Sequence, residues 1–517
     1  MNKRILLNWV YIVVGLGLLF SCSGDEESLS VGNATSQGDK GPQLLSFTFD
    51  YAINPYQLSE SVKCEIEADS LLVCRIRNIM PDKVLKATFD YQGDSLTING
   101  KKAISGITAF DFKTPAKVAV FYGGNKKEYT AFVHSFTGLP VIWIETKGRK
   151  EITSRDVYIN AYFKLQENVL TRGPGDVVED SVQIKGRGNS TWSAPKKPYR
   201  LKFGKEYSLL GEKKDKAWVL LANYYDMTML RNQLAFNMSR ISDLDYTPRA
   251  HFVEVMLNGK YHGTYQLCEK LKIAKHRVNV GNNGFLMEID SRAIQEEAPF
   301  FKVEHIPQVV NIKDPDTEIG DVNFNYIKDY LAKADRVLFS DYFKDPQIGW
   351  QKYMDISSFV DYYIINEIAK NGDVCCFYTS CYMNLKRGGK LKMGPIWDND
   401  NSFGKHDNPD LCTVDGWCLR NVAWYTRLFQ DKAFVNALKE RYDYFYSKKD
   451  ELIMDINNNA EYLRYAVDEN NARWGTLYGT TINFNYNVWG SYQNEVQYLK
   501  DWLNLRMDWL YMEIKKL

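Results

Sequence analysis

The sequence predicts a multidomain protein, with an all-β sandwich near the N-terminus, then an α+β domain, and helices closing the chain. Three observations carry that division. Leu44 to Phe136 alternates short extended runs with turns and has no helical period. The middle of the chain mixes extended runs, hairpin turns and amphipathic helices. Beyond Phe429 the pattern turns helical, and Val496, Leu499, Trp502, Leu503, Leu510 and Ile514 make an apolar face that only Arg506 interrupts. At 517 residues and 45% hydrophobic, the chain is too long for one core and apolar enough to bury several. The boundaries read from these shifts are a leader (1–22), a tether (23–43), the sandwich (44–137), the α+β domain (138–445) and a helical extension (446–517).

The leader begins with the positive run Asn2-Lys3-Arg4, continues through mostly apolar Ile5 to Phe20, and ends at Leu19-Phe20-Ser21-Cys22. A small residue before cysteine resembles a bacterial lipobox, which makes Cys22 the lipid-bearing residue and attaches the protein to a membrane. Asp25-Glu26-Glu27 resembles the acidic signal of surface lipoproteins. An outer-membrane lipoprotein exposed at the cell surface is therefore expected, with the periplasmic face as second choice. Ser28 to Gly41, rich in Ser, Gly, Asn and Asp, reads as a flexible tether. Within the sandwich, Asn99-Gly100 and Gly123-Gly124 follow extended runs and mark hairpin turns, so antiparallel sheets are expected. The segment resembles the immunoglobulin-like modules that precede catalytic domains in surface lipoproteins.

A formal charge of +1 excludes a broad nucleic-acid surface, which needs a marked basic excess. Eight cysteines follow Cys22. Outside the cytoplasm, Cys64 with Cys74 and Cys412 with Cys418 would close short loops. Cys375, Cys376 and Cys381 cluster without the His that a zinc spacing would supply.

The run from Pro395 to Gly404 places Asp398 and Asp400 either side of one residue, just after an apolar stretch. Magnesium needs only a few carboxylate oxygens beside those of a phosphorylated substrate, so a short acidic loop of this kind suits it. Upstream, Asp355 to Lys370 reads as a helix capped by Asp355, with Val360, Tyr363, Ile364 and Ile368 on one face and Asn371-Gly372 as its left-handed exit. Asp373 falls in the loop that follows, and Cys381 to Met393 reads as a hairpin around Arg387-Gly388-Gly389. Helix, acidic loop, hairpin, acidic loop is the order in which kinases present a catalytic Asp and then a magnesium-binding Asp. Asp373 is accordingly the candidate catalytic base, and Asp398 and Asp400 are the candidate metal ligands.

Lys185, Arg187, Lys196, Lys197, Arg200 and Lys202 make a basic stretch interrupted by Gly186 and Gly188, where the backbone is free to approach an anion. The helix read over Asp226 to Ile241 holds no glutamate to pair with a phosphate-contacting lysine. Glu269, leaving the hairpin turned at Asn258-Gly259, is the first candidate for that partner, followed by Glu288 or Asp290. Where the kinase loop would place its asparagine, five residues after Asp373, this chain has Tyr378; Asn384 or Asn399 is left to serve.

Several segments together resemble the CotH kinase family, the spore coat protein H group of atypical kinases. They are Ile184 to Trp192, Pro195 to Phe203, Leu221 to Asp226 with Leu230-Arg231-Asn232, Asn258 to Tyr265 with Glu269, and Gly284 to Asp290. They arrive in family order between about Leu139 and Phe445. The resemblance implies an atypical protein-kinase-like fold, ATP and Mg2+ as cofactors, and transfer of the γ-phosphoryl group to a Ser or Thr hydroxyl of an unidentified protein. It points to Lys197 as the lysine reaching the phosphates, with Arg187, Arg200 and Lys202 as further contacts. The alternative is an inactive surface lipoprotein that binds a glycan or protein through its 34 Tyr and 12 Trp residues.

Overall fold

The structure, a computed structural model, describes residues 41–58, 60–80, 83–167, 177–477 and 487–517. The leader, Cys22 and most of the tether lie outside the described residues. Among the described residues, no helix is long and apolar enough to cross a membrane.

Residues 43–135 form a β-rich region built on a three-stranded and a six-stranded sheet. Phe47, Phe49, Leu72, Phe112, Val118 and Val120 meet in its core. Asn99 and Gly100 take φ values of 50° and 76°, the left-handed pair that a two-residue hairpin turn requires. One pairing departs from the antiparallel expectation: Leu71–Ile76 runs parallel to Asn125–Ser135. Parallel neighbours need a long connection, and the intervening strands supply it. Cys64 and Cys74 are disulfide-bonded here.

A closed seven-stranded barrel follows, which the sequence pattern alone does not show. Its order is Val141–Thr146, Ile159–Gln166, Val177–Gly186, Tyr199–Tyr207, Asp215–Leu221, Lys260–Glu269 and Ala250–Leu257. Parallel pairing of Val141 with Glu254 and of Ile144 with Leu257 closes it. Alternate residues such as Phe163, Leu165, Ile184, Leu201 and Leu220 point inward and fill it. The helix after the basic strand is shorter than its sequence pattern, spanning Arg231–Arg240. Asp226 instead pairs with buried Arg231 at 2.6 Å and accepts the Arg231 N–H, tying down the turn before the helix.

The next unit holds a five-stranded antiparallel sheet ordered Phe300–Phe301, Val310–Asp314, Phe285–Ile289, Cys381–Leu385 and Leu391–Met393. Against it lies the helix Ile356–Ala369, capped by Asp355 through the Ser358 N–H and buried along nearly its whole length. Such a helix has no solvent face, so its polar residues need partners. Glu367 finds them in the N–H groups of Cys418 and Leu419 and in Arg506.

Three helices, Lys432–Ser447, Lys449–Trp474 and Tyr492–Lys515, complete the fold. Lys449–Trp474 packs on the barrel strand Lys260–Glu269. There Asn470 accepts from the Lys196 ammonium at 2.7 Å, and Trp474 donates to the His262 carbonyl at 2.9 Å. The last helix presents Arg506, fully buried, which bonds the Glu367 carboxylate and the carbonyls of Glu367, Val414 and Gly416. The charge that interrupts the apolar face is thus an internal clamp. Arg506→Leu leaves Glu367 buried without its cation, and unfolding in denaturant is expected to show a loss of about 3–5 kcal/mol.

Candidate active site

Asp373 is the second residue of a four-residue helix, Gly372–Cys375, whose N-cap is Asn371. The left-handed turn out of the preceding helix is made one residue earlier than the sequence implies, by Lys370 at φ 46°. A lysine gains nothing from that conformation by itself. Its ammonium, however, donates to the carbonyls of Asp410, Thr413 and Asp415 and to the Thr413 hydroxyl at 2.6–3.1 Å, which holds it there. Asn371 is then free to cap: its side-chain oxygen accepts from the N–H groups of Asp373 and Val374, while its amide donates to the Asp398 carbonyl at 3.0 Å and to Asn399 Oδ1 at 3.1 Å. One side chain therefore joins the two acidic loops.

Asp398 is exposed and left-handed at φ 61°, a conformation that Asp tolerates better than most residues. Ser380 donates to its carboxylate at 3.0 Å. The charges of this cluster act on one another. Burial, then the Asp398 charge, lifts the Asp373 carboxyl to about 7, against the opposing pull of Arg292. Burial and Asp398 also raise Asp400, although Lys405 draws it the other way. Oxygen donors whose charges repel one another fit a hard divalent cation. Asn401 Oδ1, in the same loop, is buried without a hydrogen-bond partner and fits it too. Asn399 Oδ1 accepts from Asn371, and the Asn384 amide donates to the Gly394 carbonyl.

Beside the acidic loops opens a cleft of about 760 Å3 between the barrel and the five-stranded sheet. Lys185, Arg187, Arg200, Lys270 and Lys313 line it, along with Val219, Leu271, Leu286, Tyr382 and Trp397. Lys185 and Arg200 are directly opposed across two antiparallel strands, so they share a face. Like charge and burial work on these cations as on the acids: Lys270 is lowered to about 8 by burial and then by Arg200, and Lys185 is lowered by the same causes. Arg200 Nε is buried with no partner. A cluster with spare donors and crowded positive charge suits a polyphosphate. Arg187 and Trp397 also line the small hollow that contains Asp398 and Asp400, so the cationic cleft and the acidic loop adjoin.

Several sequence-based expectations are corrected here. Lys197 does not line the cleft; its ammonium donates to the Trp192 and Ala194 carbonyls and sits over the Trp192 ring. Lys202, on the same strand face as Arg200, is exposed and outside the cleft. Glu269 faces the other way, accepting from the Tyr246 hydroxyl and the Arg249 N–H, with Arg277 3.5 Å away. The cleft's acid–base pair is instead Lys313 with Glu288 at 3.2 Å and Asp290 at 3.8 Å. Lys313 was not singled out by sequence, although a lone lysine in the run Val-Asn-Ile-Lys-Asp was its available signal. Gly186 and Gly188 both line the cleft, and Gly186 has a second, packing role. A Cβ there would lie 2.2 Å from the Trp192 ring, so the glycine makes room for that indole. Finally, Cys418 is bonded to Cys375, not to Cys412, and Cys375 is thereby removed from any thiolate cluster.

An acidic two-loop site therefore adjoins a cationic cleft. The family model described as CotH kinase protein matches residues 184–510, well over half of the sequence, and the chain belongs to that family. The match extends through the C-terminal helices, past the span legible in the motifs. No curated protein matches the sequence. Among solved structures the chain is similar to a "putative glycoside hydrolase" from Bacteroides thetaiotaomicron, at 12% identity over 56% of this chain and 82% of that one. The TM-score is 0.17, too low for that likeness to inform fold or activity.

The raised Asp373 carboxyl has a consequence for stability. Below about pH 4 it is protonated both folded and unfolded and costs nothing; between about pH 4 and 7 the unfolded chain ionises first, so the fold loses stability as pH rises. Asp373→Asn removes that cost. In thermal melts of the metal-free protein, the variant is expected to gain up to about 4 kcal/mol over wild type at pH 8 and to match it at pH 4.

Proposed function

We propose that this CotH kinase family member is an ATP- and Mg2+-dependent phosphotransferase acting on Ser or Thr hydroxyls of a protein outside the cytoplasm. The observation that carries the reading is the junction at Arg187 and Trp397, where a cleft rimmed by cations meets the loop bearing Asp398 and Asp400. Val219, Leu271, Leu286 and Tyr382 offer apolar surface for a purine base, and Lys185, Arg187 and Arg200 offer donors for its phosphates. Asp398 and Asp400 would hold the cation. Bound there, a divalent ion would supply neutralising charge to the phosphate oxygens.

In this reading Asp373 takes the proton of the acceptor hydroxyl. A carboxyl held at about 7 is a better base at neutral pH than an ordinary one, and the Asn371 cap fixes its position. Arg292, the cation that opposes the shift, would steady the ionised form. Lys313 would be set against the phosphates by Glu288 and Asp290, the acids that the sequence reading ranked after Glu269 for this role.

Asp398→Asn keeps the side chain's size but removes its charge, so calorimetry should show loss of Mg2+-dependent nucleotide binding in a folded protein. Unchanged affinity would defeat the assignment. Arg200→Gln should weaken nucleotide binding by about tenfold, whereas Lys197→Gln should leave it intact. Asp373→Ala should retain nucleotide and slow phosphoryl transfer by about 10²- to 10⁴-fold, as read with labelled ATP against secreted and surface proteins; equal labelling by wild type and variant would exclude the role. Attachment through a lipid on Cys22 belongs to the same proposal, and Cys22→Ala is expected to leave the membrane fraction.

A further inference from the structure

A second cationic cleft, of about 460 Å3, opens on the reverse side of the strand that leaves the barrel. Glu269 and Lys270 are successive residues: Lys270 lines the first cleft and Glu269 the second, as alternation in an extended chain requires. The two clefts thus share one wall. The second draws Arg240 from the end of a helix, Arg249 from the barrel, Lys213 from a turn, and Lys275 with Arg277 from the crossing segment.

Its acids are already committed. Glu269 serves Tyr246, the Arg249 backbone and Arg277. Asp245 holds Lys392 at 2.8 Å, and nearby Glu212 holds Arg249 at 3.2 Å and His251 at 2.8 Å. Among the described residues, Lys213, Arg240 and Lys275 form no salt bridge, and the Arg240 guanidinium donates only to Asn237. Cations gathered from four separate chain segments into one concave space outnumber the two carboxylates that line it, Asp245 and Glu269, and leave donors for a dianion. Guanidinium groups suit a phosphoryl group because their parallel N–H bonds match its oxygens.

We infer that this cleft is a second binding site, for the phosphoryl group of a phosphorylated Ser or Thr in a protein segment. Its volume exceeds that of a bare phosphate and accommodates the flanking residues of such a segment. If the first cleft transfers phosphoryl groups as proposed, the second would favour acceptors that already carry one; the binding itself does not depend on that activity.

The test is fluorescence anisotropy of a labelled phosphoserine peptide on the full chain, with the unphosphorylated peptide and inorganic phosphate as competitors. Arg240→Gln/Lys275→Gln should weaken peptide binding by about tenfold or more, and Lys213→Gln, an exposed change that spares the fold, should weaken it severalfold. Lys185→Gln/Arg187→Gln, in the first cleft, should leave it within twofold. Inorganic phosphate should compete weakly and the unphosphorylated peptide not at all. Equal binding by wild type and Arg240→Gln/Lys275→Gln, loss only in the first-cleft variant, or equal affinity for the unphosphorylated peptide would each overturn the inference. Loss of nucleotide binding with peptide binding retained would count against the proposed transferase alone.

Discussion

The site depends on a run of buried amides that crosses the molecule from the barrel to Asp373. Gln266, at the barrel wall, accepts from Asn223; Asn223 accepts from Asn232; Asn232 accepts from the backbone N–H of Asn399. Asn399 accepts from Asn371, and Asn371 accepts from the Asp373 N–H. Backbone donors at two of these links fix which way the amides point. All five amides are buried, so a break at any link strands polar groups away from water, which is costly. The barrel, the Asp398 loop and the Asp373 loop are consequently placed by one connected set of hydrogen bonds, none of which involves a charged side chain.

That neutrality matters because the charged groups around it are in conflict. Carboxylates crowd on one side, where Asp398 raises Asp373 and Asp400, and cations crowd on the other, where Arg200 lowers Lys185 and Lys270. Each crowd destabilises the empty fold and is relieved by a ligand of opposite sign. Uncharged amides hold the geometry without cancelling either field. An ion pair in the same position would have fixed the loops and neutralised the site together.

What was legible in the sequence was local. Asp355 as a cap, the Asn-Gly hairpin turns and the acidic loop all depend on residues a few positions apart, and each forms as read. Strand parity was not legible, because it depends on register. Lys197 and Glu269 have the right chemistry in the right segments, yet register turns Lys185 and Arg200 into the cleft and directs Glu269 to its reverse side. Closure of the barrel was hidden for the same reason, since Val141–Thr146 and Ala250–Leu257 pair across more than a hundred residues. Asn371 and Asn399 were noticed and given other duties, as helix exit and metal ligand. A side chain that works by joining two distant loops leaves no periodic trace.

The bond between Cys375 and Cys418 lies two residues from Asp373 and closes a loop of 43 residues that contains the hairpin and the metal-binding loop. Folded proteins open piecemeal, loops and termini more readily than core strands and helices. A covalent link at this point keeps the ends of the loop together when its hydrogen bonds part, and it removes much of the conformational freedom gained by opening. Any opening of the segment around Asp373 therefore leaves it close to the residues beyond the Asp398 loop. That built-in proximity lets the segment around Asp373 close again onto the partners it left.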